Sequence, residues 1–360
     1  MMSNSTDNSA AKTVSEQHDM IHAVDGPSQA PLDFKPNQHP DAQWFYTAEL
    51  GMFVHWGLSC VDGETDISWG MLKPRLGMNY TSFKTTPQKY YSQVERFDPQ
   101  NYDPEKWLSK AAEAGFRYAV LTAKHHEGFA MWPSEHGDFN TKNHMGGRDL
   151  VRPFVDACRN VGLKVGLYFS PPDWWYCRDH MSFAYPDQPT VDFHHCPAVI
   201  PKPPPEFGER LVHYTRNQIE ELLSNYGRID IMFFDGCVTP ALSDSHVAIS
   251  MERLRELQPG MLVNPRMHGY GDYLTPESHM PETKPAGFFE FCDISDKNAW
   301  GYLNNQKREY FPTSRFIERL SQCRAWGGNF LLNFGPDPDG DLPPEAYNAI
   351  RAISTALRQE

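Results

Sequence analysis

One stretch of the 360-residue chain, Arg228-Ile-Asp-Ile-Met-Phe-Phe-Asp235-Gly236, carries a mostly apolar run into a carboxylate and then a turn. Ile229, Ile231, Met232, Phe233 and Phe234 are the β-branched, aromatic and aliphatic residues of a parallel strand covered on both faces. Asp235 falls where that strand must stop, and Gly236 lets the backbone turn away. A carboxylate at the C-terminal end of a parallel strand stands at the mouth of an α/β barrel; the plainer reading is a cap on the next helix. Other apolar runs also lead to polar groups: His55, then Lys124-His125-His126, then Tyr168, Arg266 and Glu290. Gathered on one face, two carboxylates divide glycosidic chemistry between nucleophile and general acid. Histidines and an arginine bind the hydroxyls of a sugar ring. Each residue alone has an ordinary structural explanation, so the weight lies on their convergence.

Convergence requires elements in a particular order. Met52-Phe-Val-His-Trp56 closed by Gly57 reads as a first strand, and Asp103-Pro104-Glu105 as a helix start with Asp103 as N-cap. Strands are expected at 118–123, 164–170, 229–234, 261–264, 288–291 and 329–334, with helices at 149–160, 206–225 and 344–358. Alternating short apolar strands and helices predict a parallel sheet, and the length suits a (β/α)8 TIM-like barrel of the α/β class. Residues 1–38 are polar and end rich in proline, the pattern of a disordered or loosely attached N-terminal segment, which leaves 39–360 as the catalytic domain. The irregular stretch 171–207, with Trp174-Trp175-Tyr176, is long enough to be a functional loop.

A net charge of -13 argues against nucleic-acid or anionic-membrane partners. Seven cysteines, an odd number without a framework of spacings, read as mostly reduced. No apolar run approaches the roughly 18 residues of a membrane span. The N-terminus lacks a signal-peptide apolar region, so a cytoplasmic location is expected, or a periplasmic or secreted one if a leader was removed. Cys177, His180, His194, His195 and Cys196 could together suggest zinc, but their spacing is not that of zinc pairs, and no metal or cofactor is expected. A metal-dependent barrel hydrolase and a catalytically inactive sugar-binding barrel are the alternatives to a glycosidase.

The motifs as a set resemble the α-L-fucosidases of glycoside hydrolase family 29. They are Gly51-Met-Phe-Val-His55-Trp56-Gly57, Leu121-Thr-Ala-Lys-His125-His126-Glu-Gly-Phe129, Trp132-Pro-Ser134, Gly166-Leu-Tyr168-Phe-Ser170, Phe234-Asp235-Gly236, Asn264-Pro-Arg266, Trp300-Gly-Tyr302 and Asn329-Phe-Leu-Leu-Asn-Phe-Gly-Pro-Asp337. The resemblance runs from about Trp44 to the C-terminus. It implies a retaining exo-glycosidase without metal, acting on an oligosaccharide or glycan, with Asp235 as nucleophile. It implies a sugar subsite of His55, His125, His126, Tyr168 and Arg266, with Trp56, Trp69, Phe233, Glu277 and Trp300 as further lining residues. Two glutamates match the acid/base: Glu277, 42 residues beyond Asp235, and Glu290, 55 beyond it. The stretch following Glu290 favours that residue, with Glu277 as the alternative. Ser68, beside Trp69, stands where many members carry a hydroxyl-gripping glutamate, and Phe233 where many carry tryptophan. The family's usual C-terminal β-sandwich is not seen after the last helix.

Overall fold

The computed structural model describes residues 35–73, 85–185, 188–236 and 247–359. Residues 1–34, most of the segment expected to be loose, lie outside the described residues, as does Cys237. Among the described residues, seven strands form one parallel sheet: β1 (Leu50–Val54), β2 (Tyr118–Lys124), β3 (Lys164–Phe169), β4 (Ile231–Phe234), β5 (Leu262–Val263), β6 (Glu290–Ile294) and β7 (Asn329–Phe334). Their order is β5-β4-β3-β2-β1-β7-β6, and every pairing is parallel. Between them run α1 (Pro104–Glu113), α2 (Val151–Asn160), α3 (Phe207–Asn225), α4 (Met251–Leu257), α5 (Thr313–Trp326) and α6 (Pro344–Leu357). Asp103 holds the N-cap position of α1 without a side-chain bond to the helix; Pro104 and the first-turn Glu105 supply the start signal.

The gap between β5 and β6 is filled by an irregular eighth stave, residues 272–278. Asp272 N–H donates to Val263 O (2.9 Å) on one side. On the other, Leu274 N–H donates to Phe288 O (2.8 Å), Cys292 N–H to Pro276 O (2.9 Å) and Ser278 N–H to Cys292 O (2.9 Å). Pro276 has no N–H to give, which is why this segment does not read as a strand. The sixth strand expected at 288–291 lies instead at Glu290–Ile294, as β6.

Strand alternation separates two cores. Met52, Val54, Leu121, Leu167, Phe234 and Leu332 face the helices. Phe53, Val120, Ile231, Phe233, Cys292 and Leu331 fill the barrel. The base of the barrel is stoppered by the 3-10 turn Pro40–Thr47, whose Phe45 ring packs 4.7 Å from Tyr273 and 5.7 Å from Tyr118. Asn37 fastens the turn's approach by donating to Pro259 O (2.9 Å) and Met261 O (3.0 Å). The cysteines among the described residues form no disulfide with one another, and all but Cys196 are buried.

Candidate active site

Alternation also decides which strand-end residues reach the mouth. His55, one step past β1, continues the inward series of Gly51 and Phe53. Its Nδ1 lies 2.7 Å from Asn333 Oδ1 on β7. Trp56 takes the opposite direction: its Nε1 donates to Asp337 O (2.9 Å) and its ring lies 4.4 Å from Tyr102, in the layer between barrel and helices. The expectation that Trp56 lines the sugar is therefore corrected by the period-two geometry of its own strand.

On β2 the register shifts between Thr122 and Lys124. This bulge turns Lys124 outward and His125 inward, the reverse of plain alternation. Lys124 is fully buried behind the site, donating to Asp173 Oδ2 (3.0 Å) and Gln218 Oε1 (2.9 Å). Asp173 accepts from Tyr214 Oη (2.8 Å) and from Tyr176 N–H (2.8 Å), which ties the short helix Trp174–Cys177 to the same post. Trp174 of that helix stacks 5.5 Å from His126, and Trp69 meets both rings.

Asp235 is the centre of the arrangement. Tyr168 Oη donates to its Oδ2 (2.7 Å), Arg266 Nη1 donates to its Oδ1 (3.0 Å), and His126 Nε2 lies 3.6 Å away. Burial alone would raise its pKa; Arg266, His126 and the Tyr168 hydrogen bond outweigh that and bring it down to about 2. Asn264 clips the end of β4 in place, accepting from Phe234 N–H and donating to Phe234 O, each at 2.8 Å. Phe233 forms the floor, with the Arg266 guanidinium 5.1 Å from its ring centre.

Arg266 joins a second carboxylate to this centre. Its Nη2 reaches Glu277 Oε2 (2.5 Å), and its Nε donates to Thr275 Oγ1 (3.1 Å). Glu277 lies near the end of the stave 272–278 and so reaches the mouth. Glu290 does not. It opens β6, points into the barrel at its base and is fully buried. Its Oε2 accepts from Tyr118 Oη, at the start of β2. Gly51 makes that contact possible: a Cβ there would lie 2.2 Å from the Tyr118 ring. Burial pushes the Glu290 carboxyl up to about 8. The placement of Glu290 beside Asp235 at the mouth is thus corrected: the residue lies at the opposite end of the barrel.

The rim brings further groups. Trp300 packs 5.1 Å from His55. Asp66 Oδ1 accepts the N–H groups of Trp300 (2.7 Å) and Gly301 (3.4 Å), and burial lifts its pKa to about 7 against those bonds. Ser68 is turned inward, its Oγ 2.7 Å from His125 Nδ1. Glu64 is exposed and faces Lys307 (3.9 Å). Burial lowers the His55 pKa to about 3, with the charge of His125 second, and lowers that of His125 to about 4, so both rings are neutral near pH 7. Asn333, Asp66, Thr275 and Ser170 were not singled out from sequence. For Asn333 the inward parity of β7 was the available signal.

The loop residues considered for zinc do not assemble. His180 Nδ1 meets Pro201 O (3.2 Å), His194 Nδ1 meets Gln88 Oε1 (2.9 Å), and His195 Nε2 meets Met71 O (2.7 Å). Among the described residues, the group able to share an ion is His125, His126 and Asp235, whose ligand atoms lie within 4.8 Å of one another. The guanidinium already seated on Asp235 opposes a second cation there.

With this geometry in view, comparisons with known proteins agree. A family model described as Alpha-L-fucosidase matches residues 22–360. Tissue alpha-L-fucosidase of Bos taurus is 28% identical over 358 residues, spanning 94% of this chain and 72% of the relative. Alpha-L-fucosidase isoenzyme 1 from Paenibacillus thiaminolyticus superposes with a TM-score of 0.70 at 30% identity, over 89% of this chain and 75% of that one. A Bacteroides thetaiotaomicron alpha-L-fucosidase, solved as a trapped covalent intermediate with 2-fluoro-fucosyl fluoride, gives 0.72 at 25% identity, over 92% and 78%. The chain is a TIM-like barrel glycoside hydrolase and belongs to the alpha-L-fucosidase family.

Proposed function

We propose that the protein releases terminal α-L-fucose from glycans with retention of configuration, with Asp235 as nucleophile and Glu277 as acid/base. The observation that carries this is the Arg266 guanidinium, which holds both carboxylates, Asp235 at 3.0 Å and Glu277 at 2.5 Å. Two carboxyls sharing one guanidinium suit the separation of about 5–5.5 Å that a retaining glycosidase needs. In the first step an Asp235 oxygen bonds to the anomeric carbon while the bond to the leaving oxygen breaks, and Glu277 gives that oxygen a proton. In the second, Glu277 takes a proton from water, which attacks the same carbon and releases Asp235. Tyr168 and Arg266 keep Asp235 ionised and aimed. His55, His125, His126 and Trp300 supply polar and aromatic walls for the sugar.

The test is Glu277→Ala assayed on two fucosides. Turnover of an activated aryl α-L-fucoside should survive far better than that of a natural glycan. Azide should restore deglycosylation and yield a fucosyl azide of retained configuration. If Glu290→Ala behaves so and Glu277→Ala does not, the assignment is wrong.

A further inference from the structure

A neutral imidazole presents either a donor or an acceptor to a ligand, depending on which nitrogen keeps the proton, and the partner on the other nitrogen decides. Each of the three mouth histidines has such a partner on Nδ1. Asn333 Nδ2 donates to Trp300 O (2.6 Å), so the amide oxygen is the atom facing His55 Nδ1 at 2.7 Å. His55 must therefore donate from Nδ1, leaving a lone pair on Nε2. Ser170 Oγ donates to Pro172 O (2.8 Å), so it has only lone pairs to offer His126 Nδ1 at 2.5 Å. A proton therefore sits on His126 Nδ1, while the charge by which this ring lowers the Asp235 pKa requires a second proton on Nε2.

His125 is wired the other way. Ser68 is fully buried, and among the described residues its hydroxyl has one hydrogen-bond partner, His125 Nδ1 at 2.7 Å. Were Nδ1 protonated, the hydroxyl hydrogen would be left buried without an acceptor, at a cost of about 1–3 kcal/mol. Glu127 Oε2, 3.6 Å from the same nitrogen, is too distant to share the bond. The hydroxyl therefore donates, and His125 keeps its proton on Nε2.

We propose that Asn333, Ser170 and Ser68 are positioning residues that set opposite tautomers, so that His55 offers the sugar an acceptor nitrogen and His125 a donor nitrogen. The identity of the sugar rests on the fucosidase reading; the wiring is a property of the free protein. Ser68 then acts through His125, at a position where the family resemblance led to an expected sugar-gripping carboxylate.

The experiment is a two-bond proton–nitrogen correlation on full-length protein labelled with ring-15N histidine, without ligand. His55→Gln and His125→Gln serve to assign the signals. The expected pattern is a protonated Nδ1 for His55 and a protonated Nε2 for His125. Ser68→Ala should move the His125 signals toward the Nδ1-protonated pattern and lower kcat/KM on an aryl α-L-fucoside about tenfold. Ser68→Thr, which keeps the hydroxyl, should restore both. A wild-type His125 protonated on Nδ1, or unchanged His125 signals in Ser68→Ala, overturns the proposal. Because the spectra need no substrate, absence of fucosidase activity would count against the functional reading alone.

Discussion

Arg266 makes partners of two carboxylates that lie on different staves, and the difference between Glu277 and Glu290 shows how much a single residue's position matters. Both glutamates are near Asp235 in sequence order, and Glu290 has the more apolar neighbours, yet only Glu277 touches the guanidinium that Asp235 touches. Asp235→Asn should stay folded and lose roughly three orders of magnitude or more in kcat, since the covalent route is closed; near-normal turnover would refute the nucleophile. Glu290→Gln should keep kcat within a few fold and change stability instead. The folded-state pKa of Glu290 is raised from 4.5 to about 8, so the native state binds its proton more tightly than the unfolded chain does. Stability from this group is then fully present below about pH 4.5 and is lost as pH rises toward 8. Denaturant midpoints across that range should decline in the native protein and flatten in Glu290→Gln, a difference on the order of 3–5 kcal/mol at the alkaline end.

At the scale of elements, the site depends on two departures from regular strands. The bulge in β2 sends Lys124 out to Asp173 and His125 in to the pocket. Lys124→Ala would leave Asp173 buried without its cation, a loss of about 3–5 kcal/mol, and would loosen the Trp174 wall; melting temperature and KM should both suffer. Gly128 lies in the same turn at φ +92, and a Cβ there would sit 2.2 Å from Asp173 Oδ1. Gly128→Ala should therefore raise KM through the displaced Trp174 wall more than a comparable surface substitution, which steady-state kinetics on an aryl fucoside will show. The second departure is the stave 272–278. Its proline costs the ladder a donor, but Ser278, in a left-handed conformation at φ 59, ends it so that Glu277 remains over Arg266.

The whole molecule separates chemistry from stability along the barrel axis. The C-terminal mouth holds ionisable groups. The opposite end is closed by the turn Pro40–Thr47, with Phe45 fully buried against Tyr118, Tyr273 and Phe288. Phe45→Ala should cost about 3–5 kcal/mol and lower the melting temperature by several degrees, while kcat and KM measured well below that temperature stay near native values. A large change in KM would mean that the base and the mouth are coupled.

Much of this was legible in the amino-acid order, for local reasons. Short apolar blocks ending in His55, Tyr168 and Asp235 announce parallel strands and their open ends, because strand length, turn residues and alternation are local properties. Alternation also turns Trp56, two residues past the end of β1, away from the sugar. The proposed acid/base was not legible. Whether a glutamate lies at the top or the base of a barrel depends on which stave carries it and at what height. The stave 272–278 is held by hydrogen bonds to β5 and β6 rather than by its own propensity, with a proline in its path. Phe289 and Phe291, the neighbours of Glu290 in sequence, face the helix layer; Glu290 is buried instead by the barrel interior, where it meets Tyr118. Only closure of the barrel decided that this buried acid faces Tyr118 while Glu277 shares Arg266 with Asp235.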